Sequence, residues 1–199
     1  MLSVVHGPPP RLVILPIGVG EATNLSTGQV TVTAARWLPD GKRLLVIGTE
    51  PSARVRAYDT EVTGGTPRSI TPEGITFVPD QIALSEDGTR LAAHSPEGVV
   101  MIYPTSGDRP MPVSGLNPGE IPIGWTPGDR GIVVRDAQDR RRLLEVEPTT
   151  GQRTLFREFV PSDSSLFGPG LLAWTPDGRT FAALFERRKV TIYVVEGLK

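Results

Sequence analysis

Short apolar runs alternate with turns rich in proline, aspartate and glycine along the whole chain. In the first example, the turn Leu38–Gly41 (Leu-Pro-Asp-Gly) precedes the apolar run Arg43–Gly48. Proline presets the φ angle of the second turn position, aspartate accepts hydrogen bonds from nearby backbone N–H groups, and glycine adopts the positive φ that reverses the chain. Such a turn between two β-rich runs predicts a β-hairpin.

Related turns recur at intervals of roughly 40–50 residues, a spacing typical of a propeller blade with four short strands. The four copies begin at Trp37, Leu84, Trp125 and Trp174, so that leucine replaces tryptophan in the second copy. In the third copy, Gly128-Asp129 reverses the Asp-Gly pair. The sequence therefore predicts an all-β chain with the β-propeller fold and about four blades. The residues assigned to the structural repeat are Trp37, Asp40, Gly41, Asp87, Gly88, Trp125, Trp174, Asp177 and Gly178.

The strand pattern also predicts how the chain is organised. Residues 1–10, with three consecutive prolines, are expected to form a flexible lead-in, and residues 11–199 a propeller segment. The segment is expected to contain a partial blade at 11–26, blades near 31–70, 81–113 and 121–156, and a last blade at 170–199. A propeller ring closes by pairing strands from its two ends, because open edges expose unpaired backbone groups. The ring could close within this chain, could be completed by blades that this sequence does not contain, or could be completed by a second copy in a homodimer. We expect the chain to be part of a larger or dimer-completed ring.

Charge and composition narrow the range of partners. The net charge is −1, so no global field attracts nucleic acid or an anionic membrane surface, and no nucleic-acid partner is expected. The chain has no cysteine, which excludes disulfides and thiolate metal sites. The longest apolar run, Leu12–Ile17, is far shorter than the roughly 20 residues that span a bilayer, so no membrane segment is expected.

Residues that could carry catalysis or hold a metal are sparse. The chain has two histidines, His6 and His94, and no Gly-x-Ser-x-Gly motif to expose a nucleophilic serine. The recurring aspartates fit a turn role better than a calcium loop, which needs several oxygen ligands at alternating positions. The arginine-rich segments Arg140–Arg142 and Arg187–Lys189 are expected at solvated turns. We therefore predict no catalytic residue, no metal site and no cofactor.

The repeats at Trp37 and Trp174 resemble the WD40-like, TolB-type repeat (PD40) of bacterial propellers. The segment from Trp174 to Lys199 is similar to the end of the C-terminal propeller in bacterial serine/threonine protein kinases. This resemblance implies a sensory or interaction module in a bacterial signalling protein. It would be periplasmic or extracytoplasmic if attached to a membrane-anchored kinase, and cytoplasmic otherwise. No kinase motif occurs in this chain.

The leading hypothesis is a non-catalytic module that binds a protein, peptide or small ligand. Binding is expected at the channel mouth or on loops joining successive blades, because loops on a rigid scaffold commonly carry function. The alternative is a propeller-scaffold hydrolase or lyase, or a propeller that gates a peptidase; the scarcity of histidine favours the first hypothesis. The candidate ligand-binding residues are Asp80, Gln81, Glu120 and Asp163.

Overall fold

The computed structural model describes residues 11–78, 81–161, 163, 169–175 and 177–185, together with the backbone of residues 2–5. Its regular elements are short strands, apart from a 3-10 turn at Pro127–Asp129. The strands are β1 (Leu2–Val5), β2 (Arg11–Ile14), β3 (Thr23–Leu25), β4 (Thr31–Trp37), β5 (Arg43–Thr49), β6 (Arg56–Glu61), β7 (Arg68–Ser69), β8 (Ala83–Leu84), β9 (Arg90–His94), β10 (Val100–Pro104), β11 (Met111–Pro112), β12 (Ile121–Trp125), β13 (Ile132–Arg135), β14 (Arg142–Val146), β15 (Arg153–Glu158), β16 (Leu172–Trp174) and β17 (Phe181–Ala183).

These strands form antiparallel sheets in which each strand pairs with its neighbour in sequence. Blade 1 contains β1–β3, blade 2 contains β4–β7, blade 3 contains β8–β11, blade 4 contains β12–β15, and blade 5 contains β16 and β17. The described part of the chain is therefore all-β, which confirms the predicted fold class.

Apolar side chains fill the interfaces between successive blades. In β5, Leu44 and Val46 pack toward blade 1, whereas Leu45 and Ile47 pack toward blade 3. In β13, Ile132 belongs to the core between blades 3 and 4. Successive side chains of a strand point to opposite faces. A central strand buried on both faces therefore reads as a continuous apolar run.

The first residues differ from the prediction. Leu2–Val5 forms β1 and pairs with β2 over its full length, with Val4 opposite Leu12. This part of the chain was expected to be a flexible lead-in; instead, it supplies a third strand to blade 1. The prolines that suggested disorder, Pro8–Pro10, lie outside the described residues, as do Arg187–Lys189 and the strand predicted near residues 190–195.

The hairpin turn at Asp40 shows how the repeat residues act. The Asp40 carboxylate accepts hydrogen bonds from the backbone N–H groups of Lys42 and Arg43 at 2.9 and 3.0 Å, and from Arg43 Nε at 2.7 Å. Gly41 has a φ of 64° and donates its N–H to the Leu38 carbonyl. Asp87 and Asp177 likewise accept the N–H two residues ahead, from Thr89 and Arg179. Local hydrogen bonds thus hold the turn.

We expect the Asp40 turn to make stability depend on acid pH. The Lys42 N–H, followed by the Arg43 side chain, lowers the pKa of Asp40 from 3.8 to about 2. Because the folded pKa lies below the unfolded value, the contribution is complete above pH 3.8 and is lost as the pH falls toward 2. Carboxyl ¹³C NMR should show Asp40 titrating near 2 in the folded chain. In acid unfolding, Asp40→Asn should show a shallower pH dependence over this window. A folded-state midpoint near 3.8 would contradict the prediction.

Candidate functional site

Strands of four consecutive blades line a central cavity with a volume of about 910 Å³. Its walls come from β4, β8, β12 and β16, the first described strands of blades 2, 3, 4 and 5, and from the turns that follow them. Since each of these strands is the first of its hairpin, the repeat turns that follow them lie together at one end of the cavity. The starts of the same strands mark the opposite end.

Neighbouring turns contact each other at the end of the cavity where the repeat turns lie. A Cβ atom on Gly88 would lie 2.3 Å from Pro39 Cδ, and one on Gly178 would lie 2.7 Å from Pro127 Cγ. The reversed pair of the third repeat makes a different contact. Asp129, with a φ of 57°, accepts hydrogen bonds from the N–H groups of Glu86 and Asp87 at 2.8 and 3.0 Å. The turns therefore lock one blade to the next.

The three repeat tryptophans line the cavity but are not equivalent. Trp125 is buried, donates its indole N–H to the Ala83 carbonyl at 2.9 Å, and lies 4.4 Å from the guanidinium carbon of Arg90. Trp37 and Trp174 are half-buried. The Trp174 ring packs closely over Gly124, where a Cβ atom would lie 2.5 Å from it. Trp125 is thus the aromatic anchor between blades 3 and 4.

Gln81 lies just before β8, at the opposite end of the cavity. It is 5% exposed; its Nε2 donates to the Gly170 carbonyl at 3.2 Å, and its Oε1 accepts from Arg135 Nη2 at 3.1 Å. Arg135 also donates to Gly170, at 2.9 Å. Burial, and secondly the charge of Arg140, lowers the pKa of Arg135. Gln81 therefore links blades 3, 4 and 5 instead of presenting a free amide to solvent.

Glu120 lies just before β12 and is 1% exposed. Its carboxylate accepts a hydrogen bond from the Asn117 N–H at 2.8 Å and pairs with Arg153. Burial lowers the pKa of His94, and the nearby Glu120 backbone opposes this shift. These contacts close the loop before blade 4 and leave the carboxylate engaged within the protein.

The structure gives less information about the other two predicted ligand-binding residues. Asp80 lies outside the described residues, and Asp163 is half-buried in the connection between blades 4 and 5. In the described part of the chain, no hydrogen bond joins Gln81 to Glu120. The ligand-binding role of these four residues stays a prediction.

Sequence reasoning missed Arg36, which is exposed and lines the cavity from β4. Its Nη1 donates to the Ile82 carbonyl of the next blade at 2.8 Å. The residue before the repeat tryptophan or leucine is small in the other copies, namely Ala83, Gly124 and Ala173. This departure from the repeat was the signal that could have identified Arg36.

Among the described residues, no group of three or more His, Cys, Asp or Glu side chains is placed to hold a metal ion. No helix in the same part of the chain has the length and apolar character needed to cross a bilayer.

Comparison with known proteins identifies the fold through structure, since no family model and no curated protein matches the sequence. TolB from Agrobacterium tumefaciens is 18% identical, with a TM-score of 0.67 over 90% of this chain and 64% of that one. TolB from Acinetobacter baumannii is 14% identical, with a TM-score of 0.63 over 93% of this chain and 50% of that one.

The Cps50 (Swd1) β-propeller domain of Myceliophteria thermophila is 15% identical, with a TM-score of 0.57 over 92% of this chain and 61% of that one. Peptidase and lyase structures also match, at lower TM-scores. The chain thus spans about half to two thirds of the TolB and Swd1 structures. Its fold is that of a β-propeller.

Proposed function

We propose that the chain is a non-catalytic interaction module that binds a peptide segment of a protein partner in the central cavity. The observation that carries this proposal is the cavity of about 910 Å³ walled by the inner strands of four blades. Ligand sites typically have volumes of about 300–1,000 Å³. The cavity therefore has room for a side chain and its flanking backbone.

The rigidity of the walls supports the same proposal. In the strands next to the wall strands, such as β5 and β13, the central residues are buried between blades, as Leu45 and Val133 show. A site whose walls are already ordered loses little conformational freedom when a ligand binds. The wall also presents the half-buried rings of Trp37 and Trp174, and aromatic side chains are common anchors in interfaces.

The structural matches support an interaction role over catalysis, since the TolB and Swd1 propellers match better than the peptidase and lyase structures. The signalling role is part of the proposal and rests on the resemblance of the repeat at Trp174 to kinase-linked bacterial propellers. In such a protein with a membrane-anchored kinase, the module would lie outside the cytoplasmic membrane. Ring completion by further blades or by a second copy stays a prediction.

A phage-displayed library of short peptides, selected on the immobilised chain, tests the proposal. Ala173 is exposed on β16 and lines the cavity, so Ala173→Trp should fill the site and abolish binding of the selected peptides. Ala22 is exposed on blade 1 away from the cavity, and Ala22→Trp is the matched control that should bind as the parent does. Equal binding by both variants, or failure to enrich any peptide, would reject the cavity as the site.

A further inference from the structure

Arg36 breaks the pattern of small residues at its repeat position. Ala83, Gly124 and Ala173 occupy that position in the other copies. Among the described residues that line the cavity, Arg36 is the only basic side chain. Blade 2 therefore places one positive charge at a repeat position where the other blades have small, uncharged residues.

The guanidinium is held in place without being neutralised. Its Nη1 donates to the Ile82 carbonyl at 2.8 Å, which fixes the orientation of the planar group across the interface between blades 2 and 3. Arginine has five N–H donors, so this bond leaves most of them available. No carboxylate in the described part of the chain forms an ion pair with Arg36.

The acidic residues of the cavity lie at its turn end. The Asp129 carboxylate is occupied by the N–H groups of Glu86 and Asp87. Glu86 lies in the turn between β8 and β9 and is exposed. The charge of Arg36 is therefore available to a ligand that enters the cavity.

We propose that Arg36 is a specificity-determining residue that binds a carboxylate side chain of the partner peptide. This inference rests on the proposed function. Arginine pairs with carboxylates through two parallel N–H···O bonds, and a guanidinium that is already oriented loses less freedom on pairing. A phosphorylated residue carries more charge and is usually met by a cluster of arginines, whereas this wall supplies one. An aspartate or glutamate side chain fits that single cation.

The test compares two pools of fluorescein-labelled short peptides by fluorescence anisotropy on the whole chain. The pools are identical mixtures except for a central Asp in one and a central Asn in the other. The Asp pool should bind about tenfold more tightly, the ratio expected for a hydrogen bond to a charged partner. Arg36→Gln should abolish this preference, and Arg36→Lys should retain part of it. Thermal melts of both variants check that the blades remain folded.

Matched controls separate this inference from the proposed function. Arg140 is exposed on the turn between β13 and β14, so Arg140→Gln removes the same charge elsewhere and should leave the preference intact. Equal binding of both pools, lost in Ala173→Trp, would overturn the carboxylate assignment and leave the cavity as a peptide site. Failure of both pools to bind the folded chain would overturn both proposals.

Two further results would reassign the ligand of Arg36. Tighter binding of a phosphoserine-centred pool that depends on Arg36 would replace the carboxylate with a phosphate. Displacement of the Asp pool by succinate at an equal concentration would assign the position to a free dicarboxylate.

Discussion

Replacing Trp125 with alanine is expected to lower the free energy of unfolding by about 3–5 kcal/mol, the usual range for a buried tryptophan. The side chain is 5% exposed and packs in the core between blades 3 and 4, beside residues such as Ile132. The substitution would leave a cavity there, and it would also remove the hydrogen bond to Ala83 and the stacking of Arg90. Urea unfolding followed by circular dichroism measures the loss.

Two further variants separate the contribution of the indole N–H group from the contribution of burial. Trp125→Phe keeps an aromatic ring but loses the N–H group, so its cost should be well below that of Trp125→Ala. Trp174→Ala should also cost less than Trp125→Ala, because Trp174 is half-buried. The structure thus places the largest loss at Trp125, the most buried of the repeat tryptophans. A loss below about 1 kcal/mol for Trp125→Ala would contradict an anchoring role.

Gly88→Ala is expected to destabilise the chain by about 2–4 kcal/mol, by combining backbone strain with a steric clash. Gly88 has a φ of 72°, which costs any other residue conformational energy. The new Cβ would also lie 2.3 Å from Pro39 Cδ of the neighbouring blade, so the two turns would have to move apart. Thermal and urea unfolding of the purified variant measure the effect.

Gly41 offers a matched control for Gly88. It has a φ of 64°, but a Cβ there would meet nothing within 4 Å. Gly41→Ala should therefore show the backbone cost alone, about 1–2 kcal/mol. Adding Pro39→Ala to Gly88→Ala should recover much of the difference, because it removes the ring atoms that clash. Equal losses in the two glycine variants would show that the turns do not press on each other.

The local structure could be predicted from sequence because its causes are local. Proline, aspartate and glycine act within a few residues, as Asp40 shows by accepting the N–H groups of Lys42 and Arg43. Strands such as β5 and β13 were evident because burial on both faces leaves an uninterrupted apolar run. The all-β class follows from these features together.

Features that depend on distant residues were harder to predict. The pairing of β1 with β2 was missed because Leu2–Val5 is too short a segment to show a clear strand pattern, and three prolines follow it closely. Polar residues before β8 and β12 suggested ligand contacts at Gln81 and Glu120. A sequence does not show that Arg135 and Arg153 reach these side chains from other strands.

Arg36 lies between these two cases. An arginine in a strand is unremarkable by itself, since alternate positions usually face solvent. Its meaning appears only when the repeat is aligned and the small residues Ala83, Gly124 and Ala173 stand at the same place. The cavity that gives this difference a consequence requires several blades to assemble, which no single repeat contains.

The bond from Asp129 to the turn of blade 3 means that the repeats are not interchangeable modules. Restoring the third copy to the common Asp-Gly order would remove the side chain that caps the Glu86 and Asp87 N–H groups, and it would place an aspartate at position 128, where φ is 72°. The apparent drift of this copy is thus compensated by its neighbour. A propeller built by duplicating one ideal repeat would lack this link, so the order in which divergent copies follow one another carries information of its own.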